Sequence, residues 1–175
     1  MCGITAISAN KEALHFLLQG LEKLEYRGYD SAGITTIENN HLFTKKAKGR
    51  LQNLKDLLKD ENVLGHVGIG HTRWATHGVP SNLNSHPHTN NDETISLVHN
   101  GIIENYRELK EILILQGYKF HSETDSEVAA ALLNHYYKGD PKEAIKKTVS
   151  KLKGTFALVI LFEDQPDVIY SIRNV

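Results

Sequence analysis

Apolar residues fall every three or four positions along the first helical stretch, where Leu14, Leu17, Leu18, Leu21 and Leu24 share one face. The same spacing links Leu51, Leu54, Leu57 and Leu58, then Leu109, Ile112 and Leu113, then Ile145, Val149 and Leu152. Two later helices carry start signals. Thr124 and Glu127 stand at capping-box spacing in "TDSEVAAALLNHYY", and Asp140 with Pro141 opens "DPKEAIKKTVSKL". Shorter stretches predict strands: "GITAIS" (3–8), "ITTIE" (34–38), "HLFTKKAK" (41–48), "VGIGHTRW" (67–74), "TISLVHNG" (94–101) and "DVIYSIR" (167–173). "GTFALVILFE" (154–163) is a continuous apolar run and predicts a strand buried on both faces. Asn39-Asn40 predicts a two-residue hairpin turn, while "RGYDSAG" (27–33) and "ATHGVPSNLNSHPHTNNDE" (75–93) predict loops. Strands follow strands and helices come in blocks. The pattern predicts an α+β fold with sheet packed on sheet and helices outside, not an alternating βαβ nucleotide-binding fold.

Composition narrows the field. The chain has 175 residues, enough for one domain with a real core. A formal net charge of −1 leaves no general basic field for nucleic acid or an anionic membrane surface. No apolar run approaches the roughly 20 residues that span a bilayer. The single cysteine excludes an internal disulfide and fits a reducing, cytoplasmic setting. Ten histidines are the one oddity. His71, His77, His86 and His88 could in principle hold zinc, but their spacing matches no compact ligand motif, so no metal is expected.

The cysteine is Cys2. Removal of Met1 gives it a free α-amine with an ordinary pKa of about 7.7–8.0, close to neutral pH. Thiol nucleophile and amine base then belong to one residue, the logic of N-terminal nucleophiles. Position alone is weak support, because most free cysteines are small buried hydrophobes.

Longer motifs strengthen it. "MCGI", "EYRGYDSAG", "GHTRWATHG", "NSHPH", "VHNGIIENY" and "SETDSEV" follow one another at compatible spacing. Together they make the chain resemble the glutaminase domain of the glutamine–fructose-6-phosphate amidotransferases, from Met1 to about Arg173. The resemblance implies an N-terminal-nucleophile hydrolase, a four-layer αββα sandwich of two antiparallel sheets. It implies L-glutamine as substrate, hydrolysed to glutamate and ammonia without a cofactor.

By the same resemblance, Cys2 attacks the amide carbon, and the Asn100 side chain and Gly101 backbone N–H hold the oxyanion. From the residues alone, Asn100-Gly101 also reads as a hairpin turn. Arg73 matches the ligand of the substrate carboxylate and Asp125 that of its ammonium. Trp74, Thr76 and His77 match a loop closing over glutamine. Arg27 matches a cation near the nucleophile, and His86 a histidine near the functional face. The relatives' chains continue past "DVIYSIRNV", so the resemblance implies that residues 1–175 are the N-terminal part of the amidotransferase domain, incomplete at the C-terminus. Fructose 6-phosphate would bind only through an isomerase domain absent from this sequence, and a full-length homodimer is implied. A catalytically inactive fragment that at most binds glutamine is the alternative.

Overall fold

The computed structural model describes residues 2–175, so the expected removal of Met1 lies outside the described residues. The chain runs β1 (Gly3–Ser8), α1 (Ala13–Leu24), β2 (Ser31–Glu38), β3 (His41–Lys48), α2 (Leu51–Leu58), β4 (Val67–Arg73) and β5 (His88–Thr89). It continues through β6 (Ile95–Ile103), α3 (Tyr106–Leu115), α4 (Asp125–Tyr136), α5 (Pro141–Lys151), β7 (Gly154–Phe162) and β8 (Tyr170–Asn174). One sheet has the order β1-β4-β2-β3 and the other β5-β6-β7-β8. Every pairing is antiparallel.

Three apolar clusters stack these pieces into layers. Leu17 and Leu21 of α1 and Leu51, Leu54 and Leu58 of α2 pack on Ala32, Ile34 and Ala47 of the first sheet. Ile37, Val67 and Ile69 of that sheet meet Val98 and Leu161 of the second. On the far side, Leu109, Leu113, Val128 and Leu133 pack on Phe156, Leu158, Ile160 and Phe162. The order is helix, sheet, sheet, helix, as the resemblance implies. Strand β7 shows why its sequence is apolar throughout. Even-numbered side chains face the helices and Val159 and Leu161 face the other sheet, because successive side chains alternate across a strand.

Local signals hold where they are short-range. Asn39 and Asn40 take φ of 50° and 58° in the β2–β3 hairpin, the left-handed pair that such a turn needs. Thr124 caps α4 by accepting from Glu127 N at 3.3 Å. The reciprocal half of the box is replaced. The buried Glu127 carboxylate instead accepts from His121 N (2.9 Å) and Ser122 N (2.6 Å), tying down the chain that enters the helix.

Four expectations change, the smallest being that β8 starts at Tyr170 and not at Asp167. Strand β2 begins at Ser31, inside the stretch read as a loop, because Ser31 pairs with both Lys48 and Arg73. Gly33 belongs to that strand for a packing reason: a Cβ there would lie 2.1 Å from the His86 carbonyl oxygen. His88 and Thr89, also read as loop, form the short strand β5 beside β6. Asn100-Gly101 is no turn. Strand β6 runs through it to Ile103, with Gly101 opposite Phe156. Pairing with a strand more than fifty residues away outweighs the local turn chemistry.

Candidate active site

The open end of the sheet sandwich holds a cavity of about 380 Å³, within the range of small-molecule sites. All ten residues that the resemblance assigns to the site line it: Cys2, Arg27, Arg73, Trp74, Thr76, His77, His86, Asn100, Gly101 and Asp125; His71 and His88, weighed as zinc ligands, are not among the lining residues. They come from both sheets. Cys2 precedes β1, Arg73 ends β4, Asn100 and Gly101 lie on β6, and Asp125 starts α4.

Cys2 is half-buried at the mouth of this cavity. Its Sγ accepts from Trp74 N at 3.1 Å and its thiol donates to Trp74 O at 3.3 Å. Burial pushes the thiol pKa up, opposed by the Trp74 backbone hydrogen bond. Cys2 sits beside β4 because β1 pairs with it from Gly3 opposite Thr72 onward. The Cys2 carbonyl accepts from Asn100 Nδ2 at 3.3 Å, which brings β6 to the same point.

Two opposite charges are buried in the walls. Arg73 is 3% exposed; its Nη2 donates to His77 O and to Gly78 O (3.1 Å). Nη1 makes no hydrogen bond and lies 4.0 Å from Asp30 Oδ1. A buried guanidinium edge with donors to spare can take a carboxylate. Asp125, also 3% exposed, accepts from Ile103 N at 2.8 Å through Oδ2. Its Oδ1 stands 3.9 Å from His77 Nδ1 and 3.8 Å from His99 Nδ1. A carboxylate held this way at a helix start can take an ammonium group.

The loop after β4 forms the rim. Asp30 Oδ2 accepts from Ala75 N, and Asp30 N donates to Arg73 O at 3.2 Å, so this acid fastens the loop at its base. Trp74 is half exposed, its ring edge-on to Tyr29 at 5.6 Å. Thr76 Oγ1 lies 3.3 Å from His77 Nδ1, and the His77 ring meets Tyr106 at 5.1 Å.

Histidines floor the cavity. His86 stacks on His71 at 4.2 Å and meets His88 edge-on at 4.7 Å. Ser126 Oγ lies 2.7 Å from His86 Nε2 and 2.8 Å from His99 Nδ1. Burial drives the pKa values of His71, His86, His88 and His99 down, that of His71 to about 4. The rings stack and abut instead of converging their nitrogens. Among the described residues, no group of three or more His, Cys, Asp or Glu side chains is arranged to hold a metal ion.

His99, Ile102, Thr124, Ser126 and Thr155 also line the cavity and carried no role from sequence. His99 and Ser126 adjoin residues that did, so the neighbours of Asn100 and Asp125 were the available signal. Thr155 reaches the wall by pairing with Ile102, which nothing local in the chain announces.

Gly101 fixes how closely the strands meet. It has φ of +120°, and a Cβ there would lie 2.2 Å from Thr155 O. Gly101→Ala is therefore expected to destabilise the chain by about 2–4 kcal/mol, from backbone strain plus overpacking. Denaturant unfolding should show the midpoint falling with its slope unchanged.

Residues 71–174 match the family model described as a glutamine amidotransferase domain. The chain is 54% identical over 174 residues to glutamine–fructose-6-phosphate aminotransferase (isomerizing) of Clostridium tetani, covering 99% of this chain and 29% of that protein. The same-named protein of Caldanaerobacter subterraneus is 53% identical over 174 residues, with the same coverage. The chain thus spans less than a third of these relatives' length. Among solved structures, the glutamine phosphoribosylpyrophosphate amidotransferase of B. subtilis superposes with a TM-score of 0.80 at 31% identity. That match covers 93% of this chain and 35% of the other. The two antiparallel sheets and their flanking helices are the fold of the N-terminal-nucleophile amidotransferases. The chain belongs to the glutamine amidotransferase domain family.

Proposed function

We propose that this chain hydrolyses the side-chain amide of L-glutamine, and that Cys2 is the nucleophile once Met1 is removed. The observation that carries the proposal is convergence: one cavity gathers a thiol, side-chain amide donors and two buried opposite charges. Arg73 takes the α-carboxylate of glutamine and Asp125 its α-ammonium. This leaves the side-chain amide directed at Cys2.

The freed α-amine of Cys2 accepts the thiol proton as sulfur attacks the amide carbon. The carbonyl oxygen becomes an oxyanion, held by Asn100 Nδ2 and the Gly101 N–H. The C–N bond breaks, the amine returns its proton to the leaving nitrogen, and ammonia departs. Water then cleaves the γ-glutamyl thioester, which releases glutamate and restores the thiol. Thr76 and His77 line the bound glutamine and Trp74 closes over it. Arg27 supplies positive charge beside the nucleophile, and His86 supports the floor under Asp125 through Ser126. The longer relatives carry fructose 6-phosphate in their name, and our reading assigns the ammonia to amino-sugar synthesis on that acceptor. This chain contributes the glutaminase step to the same reaction.

Intact mass spectrometry after exposure to an electrophilic glutamine analogue tests the reading. The expected result is loss of Met1 and one adduct at Cys2, with glutamate and ammonia formed from glutamine. A chain that has lost Met1 yet neither forms the adduct nor turns over glutamine overturns it.

A further inference from the structure

The proposed chemistry makes no use of His71, although its ring touches the site. His71 lies on β4, two residues before Arg73, and is fully buried between the sheets. Its Nε2 is 2.9 Å from Asn100 Oδ1 and 3.1 Å from the His99 carbonyl oxygen. Both partners are acceptors, so Nε2 carries the ring proton. Nδ1 has no hydrogen-bond partner, which leaves Nε2–H as the ring's one polar link. Stacking on His86 at 4.2 Å and 28° fixes the ring plane.

This link decides which way the Asn100 amide faces. With Oδ1 on His71, Nδ2 points to the Cys2 side and donates to the Cys2 carbonyl at 3.3 Å. The flipped amide would set its NH2 against the His71 N–H and its oxygen against the Cys2 carbonyl oxygen. Both contacts would be repulsive. A carboxamide that offers a donor to a developing negative charge must resist turning its oxygen there instead.

We infer that His71 is a positioning residue for the glutaminase reaction: its Nε2–H grips Asn100 Oδ1 and so holds Asn100 Nδ2 toward the carbon that Cys2 attacks. The inference rests on the reading given under Proposed function. His71 itself touches neither substrate nor reacting atoms. Its effect belongs to the transition state and thus to kcat, since ground-state glutamine is gripped by Arg73 and Asp125.

Three substitutions separate this role from simple packing. Glutamine carries its amide nitrogen near where the imidazole Nε2 stands, asparagine near where Nδ1 stands, and leucine carries no donor. With Met1 removed, His71→Asn and His71→Leu are expected to lower kcat for glutamine hydrolysis about 10- to 100-fold, with KM changed less than about threefold. His71→Gln should keep about a third or more of wild-type kcat. In an Asn100→Ala background, His71→Asn should cost less than about twofold more, because its target is gone. Wild-type kcat in His71→Asn overturns the inference. So does equal loss in the Gln and Asn variants at unchanged melting temperature, or a full His71→Asn penalty without Asn100. Should His71→Leu fail to fold, the Gln and Asn pair still decides. A matured wild-type chain with no turnover overturns the glutaminase reading and this inference with it; turnover in wild type with an unaffected His71→Asn sinks the inference alone.

Discussion

Asn100→Ala is expected to lower kcat for glutamine hydrolysis by about 10²–10³-fold, the cost of one oxyanion donor or about 2.7–4 kcal/mol of transition-state stabilisation. KM should change little. The oxyanion exists only after Cys2 has attacked, so the lost hydrogen bond is one that bound glutamine does not yet make. Asn100→Asp sharpens the test. Its carboxylate keeps the shape and can still accept from His71, but it sets negative charge where negative charge must develop. Activity should fall at least as far as in Asn100→Ala. The fold should persist in both, because the Asn100 side chain is half-buried and links to the structure through His71 and the Cys2 carbonyl. Steady-state glutaminase kinetics with matched thermal melts read this out. Asn100→Asp turning over like wild type would remove Asn100 from the oxyanion site.

This residue also shows what sequence could and could not give. Periodicity predicted the helices, and the burial of both faces of β7 followed from its unbroken apolar run. Sheet packed on sheet was legible from the grouping of strands. The order of four layers came from resemblance and not from residue pattern. At Asn100-Gly101 the local signal pointed to a hairpin, while long-range pairing with β7 made the pair a strand segment. Turn chemistry is written in two residues; strand pairing depends on a partner beyond any local window. Gly33 is a second such case. In sequence it belongs to a glycine-rich loop, yet it is glycine because the His86 backbone crosses the strand there.

The same divide runs through the site. Cys2, Arg73 and Asp125 were singled out through the long motifs of the resemblance, not by their local chemistry, and the fold brings all three to one cavity. Asp30, which fastens the loop after β4, stood in a quoted motif without a role. His71 and His88 were read only as possible metal ligands. Their ring packing and hydrogen bonds arise where two sheets and a helix start meet, and no spacing along the chain encodes that meeting.

Arg73→Gln is expected to act on the opposite kinetic constant. Arg73 is nearly fully buried, with Nη2 spent on His77 O and Gly78 O and Nη1 without a hydrogen bond, 4.0 Å from Asp30 Oδ1. Glutamine at this position keeps polar atoms but loses the charge and the fork. Truncating one partner of a buried, hydrogen-bonded charge pair costs about 2–5 kcal/mol, so KM for glutamine should rise by about 30- to 5000-fold. The kcat at saturation should fall by less than about tenfold, because the α-carboxylate contact is equal in ground and transition states. Arg73→Lys should lie between, since an ammonium supplies charge without the planar pair of donors. A substrate analogue whose α-carboxylate is converted to a neutral amide supplies the control. It should bind wild type poorly and lose little more in Arg73→Gln, because each change removes the same contact. Full additivity of the two losses would show that the carboxylate is held elsewhere. Arg73 would then keep only its work on the loop carbonyls, and the orientation of glutamine toward Cys2 would have to come from Asp125 alone.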